Sequence, residues 1–290
     1  MNKLSNSISR LTGWLSLAAL ASSLLLVAAP ASAGIANTKH NLSTSSTATN
    51  RVTSGTDELC VFCHTPHAAD TSAPVPLWNK ALPAAGGYTT YATLNSTSID
   101  GTILSVGSIS LACLSCHDGA QAMDNIINAP GSGGYDATGG GAGGLGYTWA
   151  VGARVDATGK LTNAATTLAM LGTDLSNDHP IGINYCGGGP NATAPTGACV
   201  DKDFVAPQTA VINSNRVWWV DTAGGTAGTR DKSDMILYTR AFGGTNAPSV
   251  ECGSCHDPHV ETGTGTPVAG NTFLRIANAG SAVCLACHAK

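Results

Sequence analysis

The feature that most constrains this chain is the five-residue pattern Cys-x-x-Cys-His, which occurs four times. The copies are CVFCH at 60–64, CLSCH at 113–117, CGSCH at 252–256 and CLACH at 284–288, here named motifs 1 to 4. This spacing is the signature of c-type haem attachment. Two thiols form thioethers with the vinyl groups on one edge of the porphyrin, and the adjacent imidazole reaches the iron. We therefore expect the chain to wrap around large, flat, apolar groups.

Zinc knuckles, thioredoxin-like redox pairs and structural disulfides also use paired cysteines. Zinc sites do not require a histidine directly after every second cysteine. Thioredoxin-like proteins carry one such pair on a βαβ scaffold, and disulfides would not repeat the histidine. The pattern predicts four covalently attached haem c groups, bound through Cys60, Cys63, Cys113, Cys116, Cys252, Cys255, Cys284 and Cys287.

The composition agrees with a core built from cofactors. Aromatic residues make up only 5% of the chain, and glycine accounts for 35 of its 290 residues. Ordering such a chain costs much conformational entropy for little apolar area buried. We expect an irregular, loop-rich multihaem cytochrome fold in which the haem chain acts as the core. Helices of roughly one or two turns should lie at the motifs. NRVWWVDT (215–222) and DMILYTR (234–240) predict short strands or extended segments.

The first 33 residues predict a removable signal peptide. Lys3 and Arg10 accompany a long apolar run, and ASA at 31–33 matches a small-residue cleavage site. The run approaches the length of a membrane span, but the cleavage signature and the polar residues after it favour removal. The mature chain would then begin near Gly34 with no membrane span. We expect an exported protein, at the cell surface or outside the cell, with the periplasm as the alternative.

Charge and the remaining cysteines add two expectations. Without the first 33 residues the chain has 12 basic and 18 acidic residues, a formal charge of −6, and no basic run. Nucleic acid is therefore not an expected partner. Cys186 and Cys199 lie outside the motifs, and an even remainder in an exported protein predicts one disulfide between them. The alternative is a pair of unpaired buried thiols.

Eight histidines match eight axial iron positions. The expected proximal ligands are His64, His117, His256 and His288, and the expected distal ligands are His40, His67, His179 and His259. Taken singly, a spare histidine is more often a surface residue, but the match in number predicts four bis-His, low-spin haems. A haem reductase or peroxidase needs an open axial position. The sequence therefore predicts electron transfer without an enzymatic activity.

The short spacing between His64 and His67 is expected to bring two haems together. His67 follows His64 by three residues, so both start from the same side of one macrocycle. We expect His67 to ligate a different haem, and His259 to do the same in CGSCHDPH.

The chain also carries an internal repeat. CVFCHTPH followed by SLACLSCH parallels CGSCHDPH followed by SAVCLACH, and each set has one upstream histidine, His40 or His179. We expect a single tetrahaem domain over 34–290. Its two dihaem halves, 34–128 and 175–290, would be joined by a Gly-rich spacer, 129–174.

The ordered set KHNLS, CVFCHTPH with LWN, ACLSCHDG, SNDHPIG, ECGSCHDPH and FLRIANAGSAVCLACH resembles the filament-forming extracellular tetrahaem cytochromes of metal-reducing bacteria, the OmcE type. These belong to the wider group with doubled Cys-x-x-Cys-His motifs. The match spans most of the mature chain but touches the spacer only at SNDHPIG. The resemblance implies identical subunits joined head to tail, with one subunit giving an axial histidine to its neighbour's haem. If His179 ligates a first-half haem, the repeat assigns His40 to a second-half haem of the preceding subunit.

Three functions remain to be compared. The leading hypothesis is a conductive filament that passes electrons from other electron-transfer proteins to extracellular acceptors. A monomeric periplasmic tetrahaem carrier is the alternative, and it needs all spare histidines to ligate within one chain. An oxidoreductase acting on a small oxyanion or metal ion would need a high-spin haem with lysine or arginine beside it, and the sequence shows no such cluster.

Overall fold

Helices form at three of the four motifs in the computed structural model. The model describes residues 34–289 apart from 151, 153, 163–168, 223 and 261–272. Helix α1 (Ser108–His117) contains motif 2, α2 (Cys252–Cys255) contains the cysteines of motif 3, and α3 (Ala282–Cys287) leads to His288 of motif 4. Motif 1 is a turn, closed by hydrogen bonds from the amides of Cys63 and His64 to the carbonyl of Cys60. Helix α1 has 10 residues and is longer than the predicted one or two turns.

The chain divides into two units, Met1–Ala33 and Gly34–Lys290. The predicted signal peptide, residues 1–33, lies outside the described residues. Short 3-10 helices punctuate the second unit at Gly34–Asn37, Ala85–Gly87, Tyr91–Thr93, Gly141–Gly143, Tyr185–Gly187 and Ala279–Ser281.

An antiparallel five-stranded sheet organises the second half of the chain. Its strands are β5 (Ile183–Asn184), β6 (Gln208–Ile212), β7 (Asn215–Val220), β8 (Met235–Phe242) and β9 (Thr245–Val250), in the order β5-β9-β8-β7-β6. Two-residue turns with positive φ, Asn213-Ser214 and Gly243-Gly244, close two hairpins. Strands β7 and β8 are the two segments for which the sequence predicted strands. Strand β9 runs directly into motif 3.

Two small strand pairs belong to the first half. Strand β1 (Val52–Ser54) pairs with β4 (Thr148–Trp149), and β2 (Asn128–Ala129) pairs with β3 (Gly134–Tyr135). The first of these pairs brings part of the predicted spacer onto the first half, where Trp149 lies opposite Val52.

Two main apolar cores support the motifs. The first contains Phe62 of motif 1 with Ile126, Trp149 and Val155, and Cys63 and Cys116 pack against it. Trp149, Val155 and Leu161 of the predicted spacer therefore contribute to the core of the first half. The second core is built by Tyr185, Trp218, Val220, Met235 and Leu237, and Cys255 and Cys287 pack against it.

A disulfide joins Cys186 to Cys199, and both residues are buried in the second core. Cys186 follows β5, so this bond closes the chain segment that precedes β6. Among the described residues, no helix combines the length and apolar character that a membrane crossing requires.

Candidate functional site

The motif cysteines follow one another in space in the order of the motifs. Cys63 of motif 1 lies near Cys116 of motif 2, and burial, assisted by that thiol, raises the pKa of Cys63 to about 12. Cys113 of motif 2 and Cys252 of motif 3 are also neighbours, and the interaction between their thiols raises the pKa of Cys113 and lowers that of Cys252.

The last step joins motifs 3 and 4. Burial raises the pKa of Cys287 to about 12, and the nearby Cys255 adds to that rise. Burial also raises the pKa of Cys255, with a smaller contribution from Cys284. Four attachment points that are neighbours in the order 1-2-3-4 suit a continuous row of haems.

Two pairs of histidine rings have the separation that one iron atom requires. The ring centres of His64 and His259 are 6.1 Å apart, with an angle of 14° between the ring planes. The ring centres of His40 and His117 are 6.0 Å apart at 67°. A metal held at about 2 Å by one nitrogen of each imidazole places the two ring centres about 6 Å apart. Both pairs therefore fit the two axial positions of a haem.

A third pair follows from electrostatics. Burial lowers the pKa of His179, and the charge of His288 lowers it further, so the two side chains lie within electrostatic range of each other. Phe204 packs against the His288 ring with 4.5 Å between ring centres. In the repeat, His179 corresponds to His40 and His288 to His117. The second half thus brings the two corresponding histidines into one region of the structure.

The other ring nitrogen of these histidines is already engaged. Among them, the Nδ1 atoms of five lie at hydrogen-bond distance from an oxygen: His64 from Pro76 O (2.7 Å), His117 from Ala169 O (2.6 Å), His40 from Pro258 O (3.0 Å), His179 from Pro180 O (3.0 Å) and His259 from Asp257 Oδ1 (3.1 Å). Metal-binding histidines commonly donate their second N–H in this way, which fixes the ring and leaves Nε2 for the metal. The donor set therefore fits haem iron.

Two further histidines complete the eight. His67 is exposed, and its carbonyl accepts hydrogen bonds from the Thr65 hydroxyl and the Asn128 amide. His256 is exposed at the end of α2, where its amide donates to the carbonyl of Cys252. The three pairs use His40, His64, His117, His179, His259 and His288, and the repeat relates the other two, His67 and His256, to His259 and His64.

Sequence reasoning missed two buried charged residues that support the motifs. Lys80 is fully buried, and its ammonium group donates to the carbonyls of Ala122, Met123 and Asn125 at 3.1, 3.2 and 3.1 Å. Glu251, directly before motif 3, has a fully buried side chain. The sequence feature that could have indicated a role for Glu251 is its position directly before motif 3, in a chain with just 11% charged residues.

A family model described as "Doubled CXXCH motif" matches residues 246–290, the stretch that contains motifs 3 and 4. No curated protein matches the chain. The motif match supports covalently bound c-type haem and electron transfer of the multihaem cytochrome kind.

Proposed function

We propose that this protein is an exported tetrahaem cytochrome that conducts electrons along four bis-His haems, and that identical subunits join head to tail into an extracellular filament. The observation that carries the proposal is the pair of ring separations, 6.0 and 6.1 Å, found at consecutive motifs along a row of neighbouring cysteines. When bound, the haems supply iron that accepts and passes single electrons.

The residues of the chain would do three things for that role. Paired cysteines fix each attachment edge, and histidines on both sides close the axial positions. Carbonyl and carboxylate acceptors at Nδ1 hold the imidazoles in one orientation. Closing both axial positions favours electron transfer over a reaction on a substrate bound to iron. Because cysteines of consecutive motifs are neighbours, the haems that they hold would lie close together, which favours fast electron transfer from one haem to the next.

The pairing of the halves supports a head-to-tail contact. His259 of the second half lies beside His64 of the first half. In the repeat, His67 corresponds to His259, and His256 corresponds to His64. If the pairing of His259 with His64 recurs between subunits, the repeat assigns His67 of one subunit to a position beside His256 of the adjoining subunit. Such a heterologous contact generates an open filament when its rotation does not close.

This assignment differs from the one that the resemblance suggested for His40. The structure places His40 beside His117 of its own chain, so we propose His67 as the histidine given to a neighbouring subunit. The intrachain pairs also suit a monomeric periplasmic carrier, in which His67 would ligate within its own chain. The position of His67 relative to the His256 haem is therefore what separates the two functions.

The test is cryo-electron microscopy of native material sheared from cells, at a resolution that traces the iron ligands. We expect continuous filaments in which His67 ligates the motif 3 haem of an adjoining subunit. Discrete particles with His67 bound inside its own chain would overturn the filament and leave the monomeric carrier. Haems without a second histidine would overturn the electron-transfer proposal itself.

A further inference from the structure

The two halves meet where motif 2 approaches motif 3. Cys113 in α1 and Cys252 in α2 lie close enough across this junction for each thiol to shift the pKa of the other. Gly253 follows Cys252, and a Cβ atom there would lie 3.2 Å from Cδ1 of Ile109 and closer still to the hydroxyl of Tyr238. Helix α2 is therefore pressed against both α1 and β8.

A buried carboxylate ties the two motif helices together. Glu251 Oε2 accepts a hydrogen bond from the Ser110 hydroxyl at 2.5 Å, and both side chains are buried. The Ser110 oxygen in turn accepts the amide of Cys252 at 3.1 Å. Glu251 also caps α2, since its own amide donates to the Ser254 hydroxyl at 3.0 Å. Ser110 belongs to α1, so Glu251 links motif 2 to motif 3.

The second oxygen of Glu251 forms an ion pair. Glu251 Oε1 lies 2.9 Å from Nη1 of Arg240, and the exposed fractions of the two side chains are 0% and 16%. Oε1 also accepts the Ser249 hydroxyl at 3.1 Å. Arg240 donates from Nη2 to the carbonyl of Ser105, just before α1, at 3.0 Å. The Glu251–Arg240 ion pair therefore contacts both halves of the chain, and its two opposite charges compensate each other inside the junction.

Burial alone would favour a protonated Glu251. It raises the pKa of Glu251, whereas the Ser110 hydrogen bond and the charge of Arg240 oppose that rise. Removing one member of a buried ion pair leaves the other as an uncompensated charge in a weakly polarisable environment, where its field is strong.

We propose that Glu251 and Arg240 act as positioning residues that balance charge between the two central haem sites and thereby set the reduction potentials of those haems relative to the outer two. The inference rests on the proposed function. Oxidised iron carries one more positive charge than reduced iron, so an unbalanced arginine favours reduction and an unbalanced glutamate favours oxidation. The two residues thus act in opposite directions.

The experiment uses the full, haem-loaded protein and compares Glu251→Gln, Arg240→Gln and the double variant by spectroelectrochemical titration. Glutamine at position 251 can still accept the Ser110 hydroxyl, so the tether is retained while the charge is removed. At a pH high enough to keep Glu251 ionised, we expect two of the four one-electron transitions to move to higher potential in Glu251→Gln and to lower potential in Arg240→Gln. The double variant should return towards wild type, and the other two transitions should stay in place.

Two further variants keep the test decisive. Glu58→Gln makes the same change two residues before motif 1 at an exposed position, and it should move no transition because solvent screens the charge. Arg240→Lys keeps the charge and should leave the potentials near wild type even if thermal stability falls. If Glu251→Gln fails to fold, the comparison of Arg240→Gln with Arg240→Lys carries the test.

The signs of the shifts decide the outcome. Shifts of the same sign in both single variants, shifts of all four transitions, or no shift would overturn the inference. With four low-spin haems retained, each of these results leaves the proposed function intact. A wild-type protein without bis-His haems would instead overturn the proposed function.

Discussion

Nδ1 of His40 lies 3.0 Å from the carbonyl oxygen of Pro258, 218 positions further along the chain. The His40 ring also stacks on Phe273 with 4.0 Å between ring centres. Pro258 immediately precedes His259, which lies beside His64. The backbone next to His259, a proposed axial ligand at motif 1, therefore supports His40, a proposed axial ligand at motif 2. Because one hydrogen bond connects the two histidine pairs that we propose as axial ligands, the positions of the two pairs are linked.

His40 and His67 should respond differently to the same substitution. His40→Ala removes a ligand inside each subunit, so we expect filaments that still assemble and show one high-spin haem per subunit. His67→Ala removes the proposed contact between subunits, so filaments should be lost. Negative-stain microscopy and electron paramagnetic resonance of each variant make the comparison. Filaments that survive His67→Ala but not His40→Ala would instead support the assignment of His40 to a neighbour.

The buried ammonium group of Lys80 should be essential for stability. Lys80→Met removes the ammonium donor from three carbonyl groups, of which that of Ala122 keeps the amide of Asn125. It also removes a positive charge near the buried Asp124, whose pKa is raised by burial and partly brought down by the lysine. The expected loss is about 3 kcal/mol or more of unfolding free energy. Denaturant unfolding followed by tryptophan fluorescence measures it.

Lys232→Met is the matched control for Lys80, because Lys232 is exposed. Its unfolding midpoint should stay within experimental error of wild type. Equal midpoints for the two variants would show that the Lys80 contacts add nothing to stability.

The sequence alone could predict the motif residues and the strands around VWWV and MILY, because those signals are local. The pairing of His40 with His117 could not be read in the same way, since the two residues are 77 positions apart and no local pattern connects them. The spacer was predicted as a Gly-rich connection between the two halves. Gly159 shows one reason for these glycines: a Cβ atom there would collide with the indole of Trp149, so the glycine permits close packing.

The length of α1 has a comparable explanation. SISLACLSCH contains neither glycine nor proline, and the helix runs through all 10 residues. Motif 1 has no such segment before it, and it forms only a turn. Identical attachment chemistry therefore does not impose identical local structure, and the flanking residues decide between helix and turn.

Tight packing at Gly253 gives the next prediction. Gly253→Ala places a methyl group against the Tyr238 hydroxyl and Ile109, so α2 must shift or the two side chains must move. Overpacking of this kind costs about 1–3 kcal/mol. Because Gly253 lies between the two cysteines of motif 3, we also expect less haem bound at that motif, which mass spectrometry of the intact protein would detect.

Gly86→Ala is the control for Gly253, since nothing lies within 4 Å of a Cβ atom at that position. It should retain four haems and an unchanged unfolding midpoint. If both variants bind four haems with equal stability, α2 tolerates the methyl group and the junction is looser than its contacts indicate.

The disulfide should contribute to stability without contributing to electron transfer. Cys186 and Cys199 are separated by 13 positions, and a closed loop of that size stabilises the folded state by about 3 kcal/mol in the chain-entropy description. The double variant Cys186→Ala/Cys199→Ala should lose roughly that much unfolding free energy. It should keep four haems, because neither residue belongs to a motif.

Reduction of the wild-type disulfide under mild conditions should lower the unfolding midpoint by a similar amount and leave the double variant unaffected. A double variant that binds fewer haems would show instead that this loop helps to position motif 4, through the second core in which the disulfide packs near Cys287.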